Sequence, residues 1–152
     1  MLDEARDRGI LTIGIGDRGN EAGLGTIKDK TREIMPRGAK CRCPCGKGIA
    51  TTVEADVTLV VTCLNIGAYG ITACLSALLN KPDVLQDAEV EEQMIRECIR
   101  AGGMESIQAL SSIKTPVDAI PMDAYVGVVK LMKAVVKQGL TEIPLAGAEI
   151  EE

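Results

Sequence analysis

Histidine, phenylalanine and tryptophan are absent from this 152-residue chain, and Tyr69 and Tyr125 are its only aromatic residues. Without imidazole, Ser-His and Cys-His hydrolase mechanisms are excluded, and proton transfer falls to Asp, Glu, Lys, Tyr or Cys. A net charge of −5 with an acidic tail, Glu149 to Glu152, and the lack of aromatic stacking platforms argue against a nucleic-acid partner. No signal peptide is expected, and the six cysteines read as free thiols of a reducing, cytoplasmic compartment rather than a disulfide framework. One uncharged stretch, Val57 to Leu79, reaches membrane-spanning length. Its β-branched first half, its Asn65, Gly67 and Gly70, and the lack of aromatic anchors at its flanks make it strand, loop and buried helix instead.

What is present is aliphatic. Apolar residues make up 46% of the chain, drawn from Ile, Leu, Val, Ala and Met, and the length suits one domain over residues 1–152. An opening helix around Leu2 to Arg8 is expected to stop at Gly9 and feed a buried strand, Ile10 to Ile15. Beyond a glycine-rich loop, Thr26 is expected to cap a helix carrying Ile27, Ile34 and Met35 on one face and ended by Pro36. A second strand over Val57 to Cys63 leads into a second glycine loop, Asn65 to Gly70. A buried helix over Ile71 to Leu79 then ends at Asn80, with Pro82 just beyond. Val90, Met94, Cys98 and Ile99 form the apolar stripe of the next helix, closed by Gly102 and Gly103. Asp123 is expected to cap a last helix that packs Val128, Leu131, Met132, Val135 and Val136 inward and stops at Gly139. Strand-loop-helix units of this kind predict an α/β fold, a mostly parallel sheet with flanking helices and ligands at the carboxyl ends of its strands. Two strands are few for a free-standing sheet.

Gly14-Ile-Gly-Asp-Arg-Gly19 matches a dinucleotide-binding pattern after a strand, but its context fails. Asp17 stands where pyrophosphate needs backbone N–H groups, and no second strand ending in an acid follows about twenty residues on. The loop displays Asp17, Asn20 and Glu21 instead, hard oxygen ligands suited to Mg²⁺, Mn²⁺ or Ca²⁺, on glycines that let the backbone approach a ligand closely. The alternative is that Asp17 and Asn20 cap turns. Cys41, Cys43 and Cys45 alternate without zinc-knuckle spacing, and buried thiols around a Pro-Cys-Gly turn are favoured over a structural zinc site. Asp118 and Asp123 flank Ile120-Pro121; for Asp123 the cap is favoured. Glu89, Glu91 and Glu92 read as a solvated helix face.

Taken together, Thr12-Ile-Gly-Ile-Gly-Asp17, Gly19-Asn-Glu-Ala-Gly23, Cys41-Arg-Cys-Pro-Cys-Gly46, Asn65-Ile-Gly-Ala-Tyr-Gly70 and Pro116-Val-Asp-Ala-Ile-Pro121, in this order, resemble the C-terminal domain of the D-glutamate cyclase family. Members extend further toward the N-terminus, so the shortage of strands fits the later part of a larger α/β domain. The resemblance implies a hydro-lyase that converts D-glutamate to 5-oxo-D-proline and water. That chemistry is expected to use a divalent metal on Asp17, Asn20 and Glu21, with proton transfer through Glu21 or Asp118. A small acidic metabolite is expected to be held by Gly14, Gly16, Arg18, Gly19, Asn65, Gly67 and the backbone of Tyr69. Arg18 stands where the family pattern has Gly, and Leu64 and Ile66 where it has Ser and Trp. Two other readings are a metal-dependent hydrolase of a small phosphoester and an inactive fragment serving as an assembly module. Homo-oligomerisation is the base-rate expectation.

Overall fold

The computed structural model describes residues 2–102, 117, 118 and 120–142. The chain forms two units, Met1–Gly67 and Ala68–Glu152.

In the first unit, helix α1 (Leu2–Asp7) ends as expected at Gly9, whose φ of +68° admits the left-handed turn that returns Ile10 N–H to the Ala5 carbonyl at 2.9 Å. Strand β1 (Ile13–Gly16) pairs in parallel with β2 (Val57–Val60), joined through helix α2 (Lys28–Ile34), with Ile13 opposite Val57 and Gly16 opposite Val60. Both strands are shorter than expected and less buried: Ile10, Leu11, Ile13, Val57 and Val60 are exposed, whereas Gly14 and Gly16 are buried. Register is fixed just ahead of the ladder by a reciprocal clamp. The Thr12 N–H and hydroxyl both donate to Asp56 Oδ2 at 2.8 and 2.7 Å, and the Asp56 N–H donates to Thr12 Oγ1 at 3.0 Å.

The glycines of β1 are there for packing. A Cβ on Gly14 would stand 2.5 Å from the Gly23 carbonyl oxygen, and one on Gly16 would collide with the fully buried Leu24. The loop after β1 thus folds back over the strand, and Leu24 occupies the room that Gly16 vacates. Thr26 does not cap α2. A 3-10 turn over Gly25–Ile27 precedes the helix, and the Thr26 hydroxyl lies 2.6 Å from that of Thr58. Ile34 is exposed, and buried Thr31 takes the inward position, pressed by Gly19 and Gly38.

Helix α3 (Leu64–Leu78) starts earlier than expected, so Asn65 to Gly70 is not a loop but its first turns. The division between the units falls inside it. Its end matches the sequence: Asn80 has φ +51°, and Asn80 N–H and Lys81 N–H reach the Ala77 and Ser76 carbonyls at 3.1 and 2.9 Å.

In the second unit α3 continues, followed by α4 (Ala88–Arg100) and α5 (Met122–Glu142). The expected inward stripe of α4 faces outward: Val90, Met94, Cys98 and Ile99 are exposed, whereas Ala88 and Glu91 are buried. In α5 the core positions are Met122, Tyr125, Val126, Val129 and Val136, and Leu131 and Val135 are exposed. Asp123 lies within the first turn rather than at the cap, and α5 runs through Gly139. Two ion pairs join α5 to the start of α4, Lys133 to Asp87 at 2.6 Å and Lys130 to Glu89 at 2.9 Å, and the Lys133 ammonium also donates to the Leu85 carbonyl at 2.8 Å. Gly103 lies outside the described residues. No helix among the described residues is long and apolar enough to cross a membrane.

Candidate functional site

Parallel strands place their carboxyl ends at one edge, and the loops leaving that edge are where α/β sheets hold ligands. In the first unit this edge carries Asp17 to Glu21, directly after β1. Val61 N–H bonds the Gly16 carbonyl at 2.9 Å, and the first turn of α3 with exposed Asn65 follows β2 three residues later. Gly67 brings that turn close, since a Cβ there would meet Ile15 Cγ2 and Val61 Cγ1, each at 2.9 Å.

Within the loop, Arg18 Nε lies 3.5 Å from Asp17 Oδ2, the aspartate being 19% exposed. Glu21 Oε2 accepts the Gly19 N–H at 3.1 Å, and Gly19 takes φ +78° against Thr31. Asn20 is exposed. The backbone is therefore held in shape by glycine contacts and by Glu21 itself. The oxygen donors Asp17, Asn20 and Glu21 share one short loop, and no third acidic or thiol side chain gathers with Asp17 and Glu21 among the described residues.

Gly67 and Tyr69 belong to α3 rather than to a loop. The Gly67 amide bonds the Cys63 carbonyl at 3.1 Å, and the Tyr69 amide lies inside α3, where helical amides bond the carbonyl four residues back. Neither is a free loop amide. Asp118 belongs to the second unit, exposed in a tight turn with φ +49°, bracketed by hydrogen bonds of 3.1 and 2.9 Å between Val117 and Ile120.

Two features were not legible in the sequence. Glu91, expected in solvent, is 2% exposed. It accepts from the Tyr69 hydroxyl, from Gln86 Nε2 at 2.6 Å and, through its other oxygen, from the Tyr125 hydroxyl at 2.9 Å. Both tyrosines thus converge on one carboxylate. The available signal was the tyrosines themselves, because buried hydroxyls in an aliphatic core require acceptors. The second feature is the cysteine segment. Rather than being buried, Cys43 and Cys45 are exposed and Cys41 half-buried, and their sulfurs converge at 2.6 Å (Cys41 to Cys43), 2.8 Å (Cys43 to Cys45) and 3.3 Å (Cys41 to Cys45). Hydrogen bonds from the Cys43 and Cys45 thiols, aided by the Gly48 and Cys43 N–H groups, lower the Cys41 pKa to about 6, while the same cluster raises that of Cys43.

A parallel strand pair with helices and an acidic, glycine-shaped loop at its carboxyl edge places the chain in the α/β class. The sequence profile of the D-glutamate cyclase-like, C-terminal family matches residues 1–133, and the chain belongs to that family. It is 31% identical over 109 residues to the human protein named "D-glutamate cyclase, mitochondrial"; the match spans 69% of this chain and 15% of the human protein.

Proposed function

We propose that this chain serves a D-glutamate cyclase-like hydro-lyase reaction, closing D-glutamate to 5-oxo-D-proline with release of water. Family membership over residues 1–133, a span that includes the acidic loop, is the observation that carries this reading. In the reaction the amine nitrogen gives up two protons and bonds the γ-carbon, and one γ-oxygen leaves with both protons as water. The substrate brings two carboxylates, which Asp17 and Glu21 repel unless local positive charge intervenes. Arg18, beside Asp17, supplies part of that charge.

Asp17, Asn20 and Glu21 are the residues proposed to hold a divalent cation, Mg²⁺, Mn²⁺ or Ca²⁺. Mg²⁺ accepts one or two carboxylates, its other positions being filled by water and substrate oxygens. Such an ion would polarise the γ-carboxylate as a Lewis acid. Glu21 is the proposed proton carrier between amine and leaving oxygen, and its hydrogen bond from Gly19 N–H fixes the carboxylate's orientation. Gly14, Gly16 and Gly19 shape the loop, and the Asn65 side chain is proposed to orient a substrate carboxylate. The free thiols favour a reducing compartment such as the cytoplasm.

The test is product analysis by chiral chromatography after incubation with D-glutamate, with each metal and with chelator. Formation of 5-oxo-D-proline that needs the metal and disappears in Asp17→Asn is expected. Turnover unchanged in Asp17→Asn overturns the loop assignment, and turnover of a phosphoester panel in place of glutamate would favour the hydrolase reading.

A further inference from the structure

We propose that Cys41, Cys43 and Cys45 form a thiolate site for a thiophilic cation, Zn²⁺, held by three sulfurs with its fourth position open to water or an exogenous ligand. The inference is independent of the cyclase reading.

Convergence of the sulfurs is imposed by the chain path. In an extended strand, residues four apart stand about 13 Å from each other, given a rise of about 3.3 Å per residue. Here the Cys41 and Cys45 sulfurs are 3.3 Å apart. The turn that achieves this uses Pro44 and a left-handed Gly46 (φ +61°), with Gly46 N–H bonded to the Cys43 carbonyl at 3.1 Å. The neck of the loop is closed by backbone. Gly48, at φ +87°, presses against the Gly38 carbonyl, and Ile49 N–H bonds the Arg37 carbonyl at 3.0 Å. The three donors are thus gathered before any ligand arrives, which lowers the ordering cost of binding.

Donor chemistry selects the cation. Thiolates prefer Zn²⁺ and Cu⁺ over Mg²⁺ and Ca²⁺, so this site and the oxygen loop after β1 do not compete for one metal. With Zn–S bonds of about 2.3 Å the sulfurs of a tetrahedral site stand roughly 3.8 Å apart, so binding opens the three pairs by roughly 0.5 to 1.2 Å. No fourth Cys, Asp or Glu joins the trio among the described residues, and the chain has no histidine, leaving one coordination position for a ligand from outside. Zinc with three thiolates carries a net charge of −1. Arg37, Lys40, Arg42 and Lys47 flank the trio in sequence, and no acidic residue lies between Glu33 and Glu54. That local excess of positive charge offsets the negative charge of the metal-bound trio.

The reduced full chain, free of metal, is titrated with Zn²⁺ against a chromophoric chelator and separately with Co²⁺ as a spectroscopic substitute. One equivalent should bind, and the Co²⁺ form should show thiolate-to-metal charge-transfer absorption and the intense visible bands of tetrahedral coordination. Cys43→Ser should weaken binding by at least about 100-fold, the upper end of what losing only a supporting contact costs. Cys74→Ser and Cys98→Ser should leave it unchanged. In the unmodified chain, Zn²⁺ should protect Cys41, Cys43 and Cys45 from alkylation, read by peptide mass spectrometry, which keeps the test independent of whether a variant folds. Binding that survives serine at all three positions, absence of the charge-transfer band, or loss of two thiols to a Cys41–Cys43 disulfide that Zn²⁺ does not prevent would overturn the proposal.

Discussion

At the scale of single residues, Glu91 and Ser76 occupy opposite situations. Glu91 is a buried carboxylate whose oxygens meet three neutral donors, from Tyr69, Gln86 and Tyr125. Removing it takes this acceptor from the buried Tyr125 hydroxyl and from the half-buried Tyr69 and Gln86, and each buried group left unsatisfied costs about 1–3 kcal/mol. Glu91→Ala is therefore expected to lower unfolding stability by roughly 3 kcal/mol or more, measured by urea denaturation, whereas Tyr69→Phe should cost less because Glu91 keeps two donors. Ser76 is fully buried in α3, and its hydroxyl has no hydrogen-bond partner among the described residues. Ser76→Ala should be neutral or stabilising by up to about 1 kcal/mol, and a loss of stability in the same denaturation experiment would show that the hydroxyl is satisfied in solution.

Between strands, the Thr12–Asp56 clamp and the Gly14–Gly23 contact decide the geometry from which the acidic loop leaves the sheet. The Thr12 hydroxyl and N–H, with Arg6 nearby, hold the Asp56 carboxyl below its ordinary pKa. A carboxyl depressed in the folded state contributes stability above its unfolded pKa of about 3.9, and that contribution is lost as pH falls through the folded value. Asp56→Asn should thus melt lower than the unmodified chain at pH 7, with the gap closing as pH falls through the depressed folded pKa of Asp56. A gap that stays constant to acid would contradict the clamp. Gly14→Ala forces a Cβ to 2.5 Å from the Gly23 carbonyl, backbone that has no flexible end to move aside. Its expected cost is about 1–3 kcal/mol, and the loop it displaces should also lose whatever ligand affinity it has.

For the whole molecule, the distribution of apolar surface is the main finding. Leu78 is 84% exposed and Leu131 65%, and Ile10 and Leu11 stand out beside a parallel pair of strands, a sheet type ordinarily covered on both faces. In the isolated chain, Leu78→Ser and Leu131→Ser should each change stability by less than about 0.5 kcal/mol, as exposed positions do. A loss of several times that in a thermal melt would mean that these faces are covered in solution.

Much of the candidate site was legible because it depends on neighbours in sequence. Asp17, Asn20 and Glu21 follow an aliphatic strand and sit among glycines, and Gly9 and Asn80 end their helices where left-handed turns require them. The parallel pairing of β1 and β2 also followed from strand-loop-helix order. What the sequence could not decide was which face of each helix turns inward. Val90 and Met94 promised the buried stripe of α4, yet Ala88 and Glu91 are inside, because Tyr69 and Tyr125, distant in the chain, bring hydroxyls that need a carboxylate. The same limit hid the thiol trio, where alternation placed the cysteines on one side of an extended chain and only the turn at Gly46, clasped by Gly38 and Gly48, drew their sulfurs together. Local periodicity and turn chemistry belong to the sequence itself; the choice of buried face and the meeting of remote donors arise from polar groups satisfying one another once the chain has folded.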